Sequence, residues 1–402
     1  MELRGKYGIA VVYTDEVEAS AISQIINLLN QPMAEGANIR IMPDVHAGAG
    51  CVIGYTAKLT DKVVANLIGV DIGCGVRAWK LGKRSEVGEK FDKLDTFIRN
   101  NIPSGREVHD ESFYRNESVK KICKATSQDY DYVTRSMGTL GGGNHFIEID
   151  LDDEDNFWLV IHSGSRNFGL KIANYYQSRA RRSLTKKWGD EEVNRIKEAY
   201  KGDHKRIGEE IQELKHKRPK IPSGLEWLEG EDRADYLNDM MVAQEYAHLN
   251  RAAMGDLILE KFYKFDSVYF TIESVHNYIN FEDGIVRKGA ISAHQDQQVI
   301  IPLNMADGVI VGIGKGNPEW NYSAPHGAGR KMSRSAAKQN ILLEDFQKVM
   351  KAKGVWTTTA DKNTLDEAPQ AYKSSEHIIQ YLVDAVDVQF NMKPVYNFKA
   401  TE

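Results

Sequence analysis

The sequence predicts an α+β fold, because strand-like and helix-like segments both recur along the chain. Apolar segments of strand length occur, for example, at residues 7–13 and 157–162. Two long stretches, residues 171–218 and 232–264, are rich in charged residues, and their apolar residues follow helical spacing. We therefore expect strands and long helices to build one core.

The length and composition are those of an ordinary globular protein. Of the 402 residues, 42% are hydrophobic and 27% are charged. We find no internal repeat, low-complexity tract or linker-like segment, so we expect one domain over residues 1–402, with a helical, charged insertion at approximately 170–264. The net charge of -5 excludes a histone-like binder, so any nucleic-acid surface must be a local basic patch.

Cysteine usage and the lack of long apolar runs indicate the compartment. Cys51, Cys74 and Cys123 are too few and too scattered for a disulfide framework. The first residues lack the apolar core of a signal peptide, and no run approaches the roughly 20 apolar residues of a membrane span. We expect a soluble, cytoplasmic protein that does not bind membranes.

The N-terminal region contributes the first candidate site residues. A strand at residues 7–13 precedes a helix at residues 15–31, which Asp15 is placed to cap. The next strand ends in Met-Pro-Asp-Val-His, so Asp44 and His46 follow a proline two residues apart. An Asx-type turn explains this pattern as well as a functional site does.

A glycine-rich turn carries a carboxylate and a thiol. An apolar strand beginning at Val63 leads into the sequence Asp71-Ile-Gly-Cys74-Gly. Because Asp71 and Cys74 lie three residues apart, both side chains can converge on one point. Carboxylate and thiolate together suit a borderline divalent metal, and a thiolate sulfur can bridge two ions. The alternative is a buried cysteine that acts as a small apolar residue.

Three glycines lead into a strand that contains a histidine between two polar residues. Along a strand, Asn144 and Glu148 share one face and His145 takes the other. Asn144 and Glu148 could therefore bind one ligand while His145 reaches a metal. A hairpin with a polar edge is the alternative interpretation.

Two further strands end in a histidine. His162 ends an apolar strand and precedes a loop of small residues with Arg166, which is a plausible phosphate nest. His276 ends another strand. Beyond it, Arg287 and Lys288 place two cations beside a glycine.

The other predicted helices contribute no candidate catalytic residue. Basic clusters within residues 171–218 are separated by acidic residues, so most of this stretch is expected to be a solvated face. The same clusters could alternatively follow a polyanion backbone. The remaining helical segments are residues 88–135, about 333–353 and 374–387.

A short motif near the C-terminal end combines a histidine, small residues and arginines. His326 lies between Pro325 and Gly-Ala-Gly, and Arg330 and Arg334 follow within eight residues. Small residues let the backbone approach an anion, and arginines clamp phosphate oxygens. A neutral imidazole can attack phosphorus, so His326 is a candidate nucleophile. A tight turn with a surface histidine is the alternative.

These motifs indicate one type of chemistry if they converge in space. One aspartate, one cysteine and three histidines could hold two borderline metals, provided that the cysteine bridges them. The surrounding cations exceed what a metal site requires and indicate a phosphate-rich substrate, hence phosphoryl or nucleotidyl transfer. These cations are Arg166, Arg287, Lys288, Arg330, Arg334 and Lys399.

In this combination the chain resembles the RtcB family of RNA-splicing ligases, over nearly its whole length. Seven motifs occur in the family's order, followed by Asp-Glu-Ala-Pro-Gln-Ala-Tyr372-Lys373 and a near-terminal Lys399, and Asn250-Arg251 falls where the family also has Asn-Arg. The seven are Met-Pro-Asp44-Val-His46, Gly-Val-Asp71-Ile-Gly-Cys74-Gly, Gly-Gly-Asn144-His145-Phe-Ile-Glu148, His162-Ser-Gly-Ser-Arg166, His276-Asn277-Tyr, Arg287-Lys288-Gly-Ala and His326-Gly-Ala-Gly-Arg330-Lys-Met-Ser-Arg334.

The resemblance implies a role for each matching residue. His326 is implied as the nucleophile that takes GMP as a phosphoramidate, with Asp44 in a catalytic motif near the metals. The implied ligands of two manganese(II) ions are Asp71, Cys74, His145, His162 and His276. The implied GTP- and GMP-binding residues are Asn144, Glu148, His326, Gly327, Ala328, Gly329 and Lys399. The implied RNA-phosphate contacts are Arg166 and Arg330.

The resemblance also implies a fold, a reaction and partners. The expected fold is α+β, with mixed β-sheets around a central metal cleft and peripheral helices. The expected activity is GTP-dependent joining of RNA 2′,3′-cyclic-phosphate or 3′-phosphate ends to 5′-hydroxyl ends, in RNA repair or tRNA splicing. The expected partners are RNA, such as tRNA halves or cleaved ends, GTP, and an archease-type activator.

The sequence departs from the family in one place. Residues 302–308, Pro-Leu-Asn-Met-Ala-Asp-Gly, differ from the family's Pro-Gly-(Asp/Ser)-Met-Gly-(Ser/Ala), which contributes to the nucleotide pocket. His294 lies nearby, either as an added ligand or in a plain polar loop. Two other functions stay open: a di-metal phosphodiesterase that opens cyclic phosphates, and a non-catalytic RNA-binding paralogue.

Overall fold

The computed structural model describes residues 1–217, 220–268 and 270–400. The strands within those residues are β1 (Glu2–Arg4), β2 (Ile9–Val12), β3 (Ile39–His46), β4 (Ile53–Lys58), β5 (Gly75–Lys83), β6 (Phe146–Leu151), β7 (Asn156–Ser163), β8 (Thr271–Val275), β9 (Asn277–Asn280), β10 (Ile285–Lys288), β11 (Ala290–Ser292), β12 (Gln298–Asn304), β13 (Gly308–Gly314), β14 (Ser323–Pro325) and β15 (Val386–Lys399). The α-helices there are α1 (Ala19–Leu29), α2 (Arg84–Val87), α3 (Phe91–Asn101), α4 (Glu117–Ala125), α5 (Tyr130–Arg135), α6 (Arg166–Lys186), α7 (Glu192–Ala199), α8 (His204–Lys217), α9 (Gly230–Leu257), α10 (Arg334–Asn340), α11 (Leu343–Ala352) and α12 (Ser375–Leu382).

The strands form three sheets. The largest has the order β12-β13-β15-β6-β7-β5-β8, and all of its pairs are antiparallel. The second has the order β1-β2-β3-β4-β10-β9 and contains one parallel pair, β2 with β3. The third pairs β11 with β14. The α+β prediction is confirmed, while the mixed character that we expected of the sheets applies only to the second.

One edge of the large sheet collects the candidate metal ligands. Antiparallel pairing places the starts of β5 and β6 beside the ends of β7 and β8, with Phe146 opposite His162 and Gly75 opposite both Ser163 and Val275. The expectation that the candidate ligands end strands is therefore wrong for three of the five, namely Asp71, Cys74 and His145. Cys74 immediately precedes β5 and His145 precedes β6, yet the alternating strand direction brings them to the same edge as His162 and His276.

Several predicted elements have different bounds. The first helix begins at Ala19 with Glu18 at its N-cap, so Asp15 does not cap it. No strand occupies residues 63–70, which contain a short 3₁₀ turn at Ala65–Leu67. The helix expected at 333–353 is two helices, α10 and α11, because Ile341 and Leu342 take extended backbone angles between them.

The C-terminal segment is the largest departure from the prediction. The helix expected at residues 374–387 ends at Leu382, and β15 then runs for 14 residues to Lys399. This strand lies between β13 and β6 in the middle of the large sheet. Its last residue, Lys399, is opposite Phe146, so the strand delivers a lysine to the edge that carries the metal-ligand candidates.

The helices of the 170–264 region pack into the core as well as over it. Helices α6 and α9 contact each other, and α9 buries a face that includes Tyr236, Met240 and Tyr246. Asn250 and Arg251 on the same helix are also fully buried. Helix α9 therefore packs into the core through one face, as its amphipathic sequence predicted. None of the helices within the described residues combines the length and apolar character that crossing a membrane requires.

Candidate active site

A cavity of about 730 Å³ opens at the edge of the large sheet where the candidate ligands meet. The cavity is bordered by residues from distant parts of the chain, including segments near residues 46, 144, 276, 326 and 399. Most of the predicted site residues line it. These are Asp71, Cys74, Asn144, Glu148, His162, His276, His326, Gly327, Ala328, Gly329, Arg330 and Lys399.

The candidate metal ligands form a continuous chain of close contacts at the base of this cavity. Nε2 of His145 lies 3.1 Å from Oδ2 of Asp71 and 3.5 Å from Sγ of Cys74. The same sulfur lies 3.3 Å from Nε2 of His162, which in turn lies 3.3 Å from Nε2 of His276. Ligand atoms from five residues that span 206 positions of sequence are therefore within reach of one or two ions.

The ligand atoms fall into two groups that share the cysteine. Cys74, His162 and His276 form one group, and Asp71, Cys74 and His145 form the other, with all ligand atoms of a group within 4.8 Å of one another. Oxygen, nitrogen and sulfur donors together suit a borderline divalent metal. Nδ1 of His145 contacts the carbonyl oxygen of Leu140 at 2.9 Å, which directs its Nε2 towards the cluster. The residues therefore fit a metal site in which Cys74 is common to both positions.

Burial keeps the cysteine and two of the histidines in this cluster uncharged in the absence of a cation. Burial and the neighbouring histidines lower the pKa of His162 and of His276 well below the usual value, so both imidazoles are neutral ligands. Burial, followed by the Asp71 charge, raises the pKa of the Cys74 thiol well above its usual value. A cation bound here would supply the charge that favours the thiolate.

Asp71 is the charged member of the cluster. Burial alone would raise its pKa, but the hydrogen bond with His145 and the nearby guanidinium of Arg166 bring the pKa below the usual value. The other carboxylate oxygen, Oδ1, accepts hydrogen bonds from the backbone N–H and the hydroxyl of Ser165 at 2.9 and 3.1 Å. These donors fix the carboxylate with Oδ2 towards the ligand cluster.

Two buried residues of α9 hold the ligand-bearing loops together. The Asn250 side chain accepts hydrogen bonds from the backbone N–H groups of Gly138 and Thr139, and it donates to the carbonyl oxygen of Gly164. Arg251 donates to the carbonyl oxygens of Gly73 and Ser163, the neighbours of Cys74 and His162. From sequence we noted only that this pair matches the family. A polar pair on the apolar face of a helix was the available signal of a buried anchor.

His326, in the turn that follows β14, lies beside one of the metal-ligand candidates. Its ring centroid lies 4.9 Å from that of His276. Nδ1 of His326 lies 2.6 Å from Oδ2 of Asp44, and the same oxygen accepts the backbone N–H of His326 at 3.1 Å. Because Asp44 is fully buried and holds the proton on Nδ1, the lone pair of the ring lies on Nε2. This is the tautomer that a nucleophilic imidazole needs.

A glycine permits this contact between β3 and the turn that follows β14. Gly329 has a φ of +70°, and a Cβ at this position would lie 2.7 Å from the carbonyl oxygen of Asp44. A side chain there would clash with the backbone of β3 and would also be strained in the left-handed region. The Gly-Ala-Gly sequence after His326 thus brings the turn against Asp44, whereas the approach to an anion that the sequence predicted for these small residues stays a prediction.

Asn144, Glu148 and Lys399 also line the cavity. Asn144 lies in the turn before β6, so it does not share a strand face with Glu148 as the sequence predicted. Glu148 accepts a hydrogen bond from the side chain of Asn397, and its burial raises its pKa to about 7. Nζ of Lys399 lies 4.9 Å from the ring centroid of Phe146 and 3.2 Å from Oε2 of Glu367.

Glu367 is a functional candidate that the motif analysis did not single out. It is 1% exposed, and it binds Lys399, Arg330 and Arg334 at 3.2, 3.3 and 2.8 Å. The hydroxyl of Tyr372 donates to it at 2.6 Å. Its pKa is raised by burial and lowered more strongly by these cations, with a net decrease. The Asp-Glu-Ala-Pro motif was the signal for this residue, but nothing in the sequence indicated its three partners.

Three of the cations predicted to contact phosphate lie elsewhere. Arg166 does not line the cavity, because its guanidinium donates to Thr139 and to the carbonyl oxygen of Gly105. Arg287 and Lys288 are buried and bind protein groups, among them Asp283 and two carbonyl oxygens. The expectation that these two cations face a phosphate is wrong for this structure.

Of His294 and the divergent segment 302–308, only the segment lies at the cavity. His294 stacks on Tyr322 and contacts Asp283, in agreement with a polar loop. By contrast, Pro302, Asn304 and Met305 line the cavity. The sequence departure from the family therefore lies at the site itself.

Fold and site together define a class of protein. It is an α+β protein with an enzyme-type cavity, in which a fixed histidine lies beside candidate ligands for a metal. The profile of the family described as tRNA-splicing ligase RtcB matches residues 24–133 and 116–400. The chain is 30% identical over 414 residues to the RNA-splicing ligase RtcB of Escherichia coli, covering 94% of each chain. It is 25% identical over 467 residues to the tRNA-splicing ligase RtcB of Aeropyrum pernix, covering 92% of this chain and 90% of that one. The chain belongs to the RtcB family.

Proposed function

We propose that this protein is an RNA ligase that joins a 2′,3′-cyclic-phosphate or 3′-phosphate end to a 5′-hydroxyl end, with GTP as cosubstrate. Family membership and the names of its relatives support the ligase class. The observation that carries the proposal is His326, whose Nδ1 is held by Asp44 while its ring lies against His276 in the same cavity as Lys399. A hydrolase that only opens cyclic phosphates would need no pocket for a guanylate.

The proposed cofactor is manganese(II), as two ions held by the two groups that share Cys74. When bound, such ions supply positive charge that stabilises a phosphate under attack. Every other role falls to side chains of this chain. Asp71 and the three histidines hold the ions, and Arg251 and Asn250 fix the loops that carry them.

In the first proposed step, Nε2 of His326 attacks the α-phosphorus of GTP. A nitrogen–phosphorus bond forms, the bond to the bridging oxygen breaks, and pyrophosphate leaves with the electron pair. Asp44 stabilises the positive charge that develops on the ring, because its carboxylate is buried against Nδ1. Glu148, Asn144 and Lys399 are proposed to hold the guanylate.

In the following steps, GMP passes from His326 to RNA. Water first opens a 2′,3′-cyclic phosphate, and an oxygen of the resulting RNA 3′-phosphate attacks the phosphorus of the guanylated histidine. The nitrogen–phosphorus bond breaks and His326 regains its lone pair. The 5′-hydroxyl of the other RNA then attacks the RNA phosphate and expels GMP. RNA is therefore the proposed macromolecular partner, and an archease-type activator is a proposed accessory partner.

The test is RNA joining in a defined mixture. We would incubate the purified protein with manganese(II), GTP, an RNA with a 2′,3′-cyclic phosphate and a labelled RNA with a 5′-hydroxyl. We expect a longer labelled product that depends on GTP and is absent with His326→Ala. Opening of a cyclic phosphate without joining, in both proteins, would contradict the ligase function and support the phosphodiesterase alternative.

A further inference from the structure

A second cavity of about 560 Å³ adjoins the site and has no role in the steps above. It shares four lining residues with the main cavity: Glu18, His46, Arg330 and Lys331. Its other lining residues are Glu16, Val17, Val45, Lys373, Ser374 and His377. We call it the side cavity. It is a continuation of the site towards the start of α12, so a polymer bound at His326 can extend into it.

The side cavity contains a buried lysine that forms no ion pair with the described residues. Lys373 is only 8% exposed, and its Nζ donates to the carbonyl oxygen of Pro43 at 3.2 Å. No carboxylate of the described residues lies within 4.0 Å of this nitrogen, and the charges of Asp44, Glu16 and Glu18 act on it from farther away. Because burying an ammonium group is costly, an anion in direct contact with Nζ would stabilise it further.

Other groups around Lys373 favour the same type of ligand. Lys331 forms no ion pair with a described residue, and it lies where the two cavities meet. Nε2 of His377 is buried without a hydrogen-bond partner in the described part of the chain. Helix α12 begins at this cavity, with Ser374 as its N-cap, and the amides of a first helical turn attract anions.

Two carboxylates also border the side cavity and limit what can bind there. Glu18 accepts the backbone N–H of Ala47, and Glu16 lies 3.7 Å from Nδ1 of His377. A ligand must therefore combine an anionic group with hydrogen-bond donors. A ribonucleotide has this combination, because its phosphate is anionic and its 2′-hydroxyl can donate to a carboxylate.

We propose that the side cavity binds a backbone phosphate of an RNA strand whose reacting end lies at His326. The proposal rests on the proposed ligase function for the identity of the polymer. Lys373 and His377 contact the phosphate, and Lys331 marks the passage from the main cavity. The contact positions the strand and takes no part in transferring GMP.

The test separates RNA binding from guanylylation. We would measure the affinity of Lys373→Gln and His377→Ala for two labelled RNAs, one with a 3′-phosphate and one with a 5′-hydroxyl, by fluorescence anisotropy at several salt concentrations. Lys348→Gln, an exposed change on α11, is the control of equal charge. Guanylylation by labelled GTP is measured on the same preparations.

We expect the dissociation constant of at least one RNA to rise about tenfold in Lys373→Gln. The slope of log affinity against log salt concentration should become shallower in Lys373→Gln by about the amount that one phosphate contact contributes. Lys348→Gln should bind RNA as the unmodified protein does. The strand that loses affinity is the one that occupies the side cavity. Unchanged affinity and salt dependence for both RNAs in both variants would overturn the proposal.

The two proposals fail in distinguishable ways. If Lys373→Gln also loses guanylylation because Pro43 moves, His377→Ala decides, since no hydrogen bond joins the His377 side chain to Pro43 within the described residues. If the unmodified protein is not guanylylated at all, the ligase proposal fails, but the anisotropy experiment still decides whether the side cavity binds RNA.

Discussion

At the scale of single residues, Asp44 has the clearest consequence for chemistry. It is fully buried, and Oδ2 contacts both Nδ1 and the backbone N–H of His326. This geometry selects the reactive tautomer and stabilises the charged ring, which is how a carboxylate assists a histidine in other enzymes. From sequence, an Asx-type turn explained Asp44 equally well, because the partner is 282 residues away.

Replacing Asp44 by asparagine should slow guanylylation of His326 by about 10²- to 10⁴-fold, because an amide neither fixes the Nδ1 proton nor stabilises the charged imidazole. Manganese(II) binding should be unchanged, since Asp44 is not among the ligand groups. Rapid-quench measurement with labelled GTP gives the rate, and Asp345→Asn on α11 is the control. A rate equal to that of the control would show that Asp44 is only structural.

Glu148 gives a prediction about pH. Burial raises its pKa to about 7, above the ordinary value, so the folded protein binds this proton more tightly than the unfolded chain. The stabilisation is present below the unfolded pKa and is lost as the pH rises through about 7. Glu148→Gln should therefore reduce the fall in unfolding free energy between about pH 4.5 and 7, by up to about 1.4 kcal/mol per pH unit.

Urea unfolding at several pH values measures this effect. In Glu148→Gln the unfolding free energy should still fall somewhat as the pH rises. Asp150 is the reason, because burial, and in the unmodified protein also the charge of Glu148, raises its pKa well above the usual value. The prediction therefore concerns the difference between the two proteins. Parallel curves for Glu148→Gln and the unmodified protein would refute the role of Glu148 in this pH dependence.

At the scale of elements, alternation of strand direction explains how the cluster forms. The structure brings together the five residues that the sequence offered as metal ligands, and their role as ligands stays a prediction. The sequence placed them at strand ends. Cys74 and His145 instead precede their strands, and only the antiparallel order β6-β7-β5-β8 aligns them with His162 and His276. Pairing between strands that are far apart in sequence is not contained in local residue patterns.

Strand β15 was not predicted from the sequence for a similar reason. Its sequence includes Asp387, Gln389, Asn391, Lys393 and Pro394, which are poor signals for a central strand. Tertiary pairing with β13 and β6 outweighs that local preference. A register shift lies between Pro394 and Tyr396, at the point where proline interrupts the ladder.

The turn after His326 supplies a prediction with a matched control. Gly329 and Gly354 have similar backbone angles, with φ of +70° and +72°, but only a Cβ at Gly329 would meet Asp44. Both alanine variants should show the cost of a strained φ, whereas only Gly329→Ala should displace the His326 turn from Asp44. We expect guanylylation to fall at least about tenfold in Gly329→Ala and to remain in Gly354→Ala.

Unfolding temperatures of the two glycine variants provide the comparison of strain, and labelled GTP provides the comparison of activity. Equal losses of activity in both variants would indicate that strain alone is responsible. In that case the close approach of Gly329 to Asp44 would not matter for the reaction.

At the scale of the whole molecule, candidate ligands from β5, β6, β7 and β8 would be linked by a bound ion. Manganese(II) that binds only the folded state should raise the unfolding temperature, with about 2.7 kcal/mol of stabilisation at a free concentration one hundred times the dissociation constant. Cys74→Ala should abolish most of this rise, because both ligand groups use its sulfur.

Cys123→Ala is the matched control, since Cys123 is also a buried cysteine but lies on α4, outside the ligand groups. Thermal unfolding with manganese(II) and with a chelator measures the effect. A rise in Cys74→Ala as large as in Cys123→Ala would contradict a shared thiolate ligand.

The central claim is that His326 becomes covalently guanylated, and labelled GTP tests it most directly. The protein is incubated with α-labelled GTP and manganese(II) and separated on a denaturing gel beside His326→Ala. The account predicts a labelled band that is lost in acid, survives alkali and is absent from the variant, as expected of a phosphoramidate. A protein that binds manganese(II) but gives no band, or gives an equal band with His326→Ala, would contradict it.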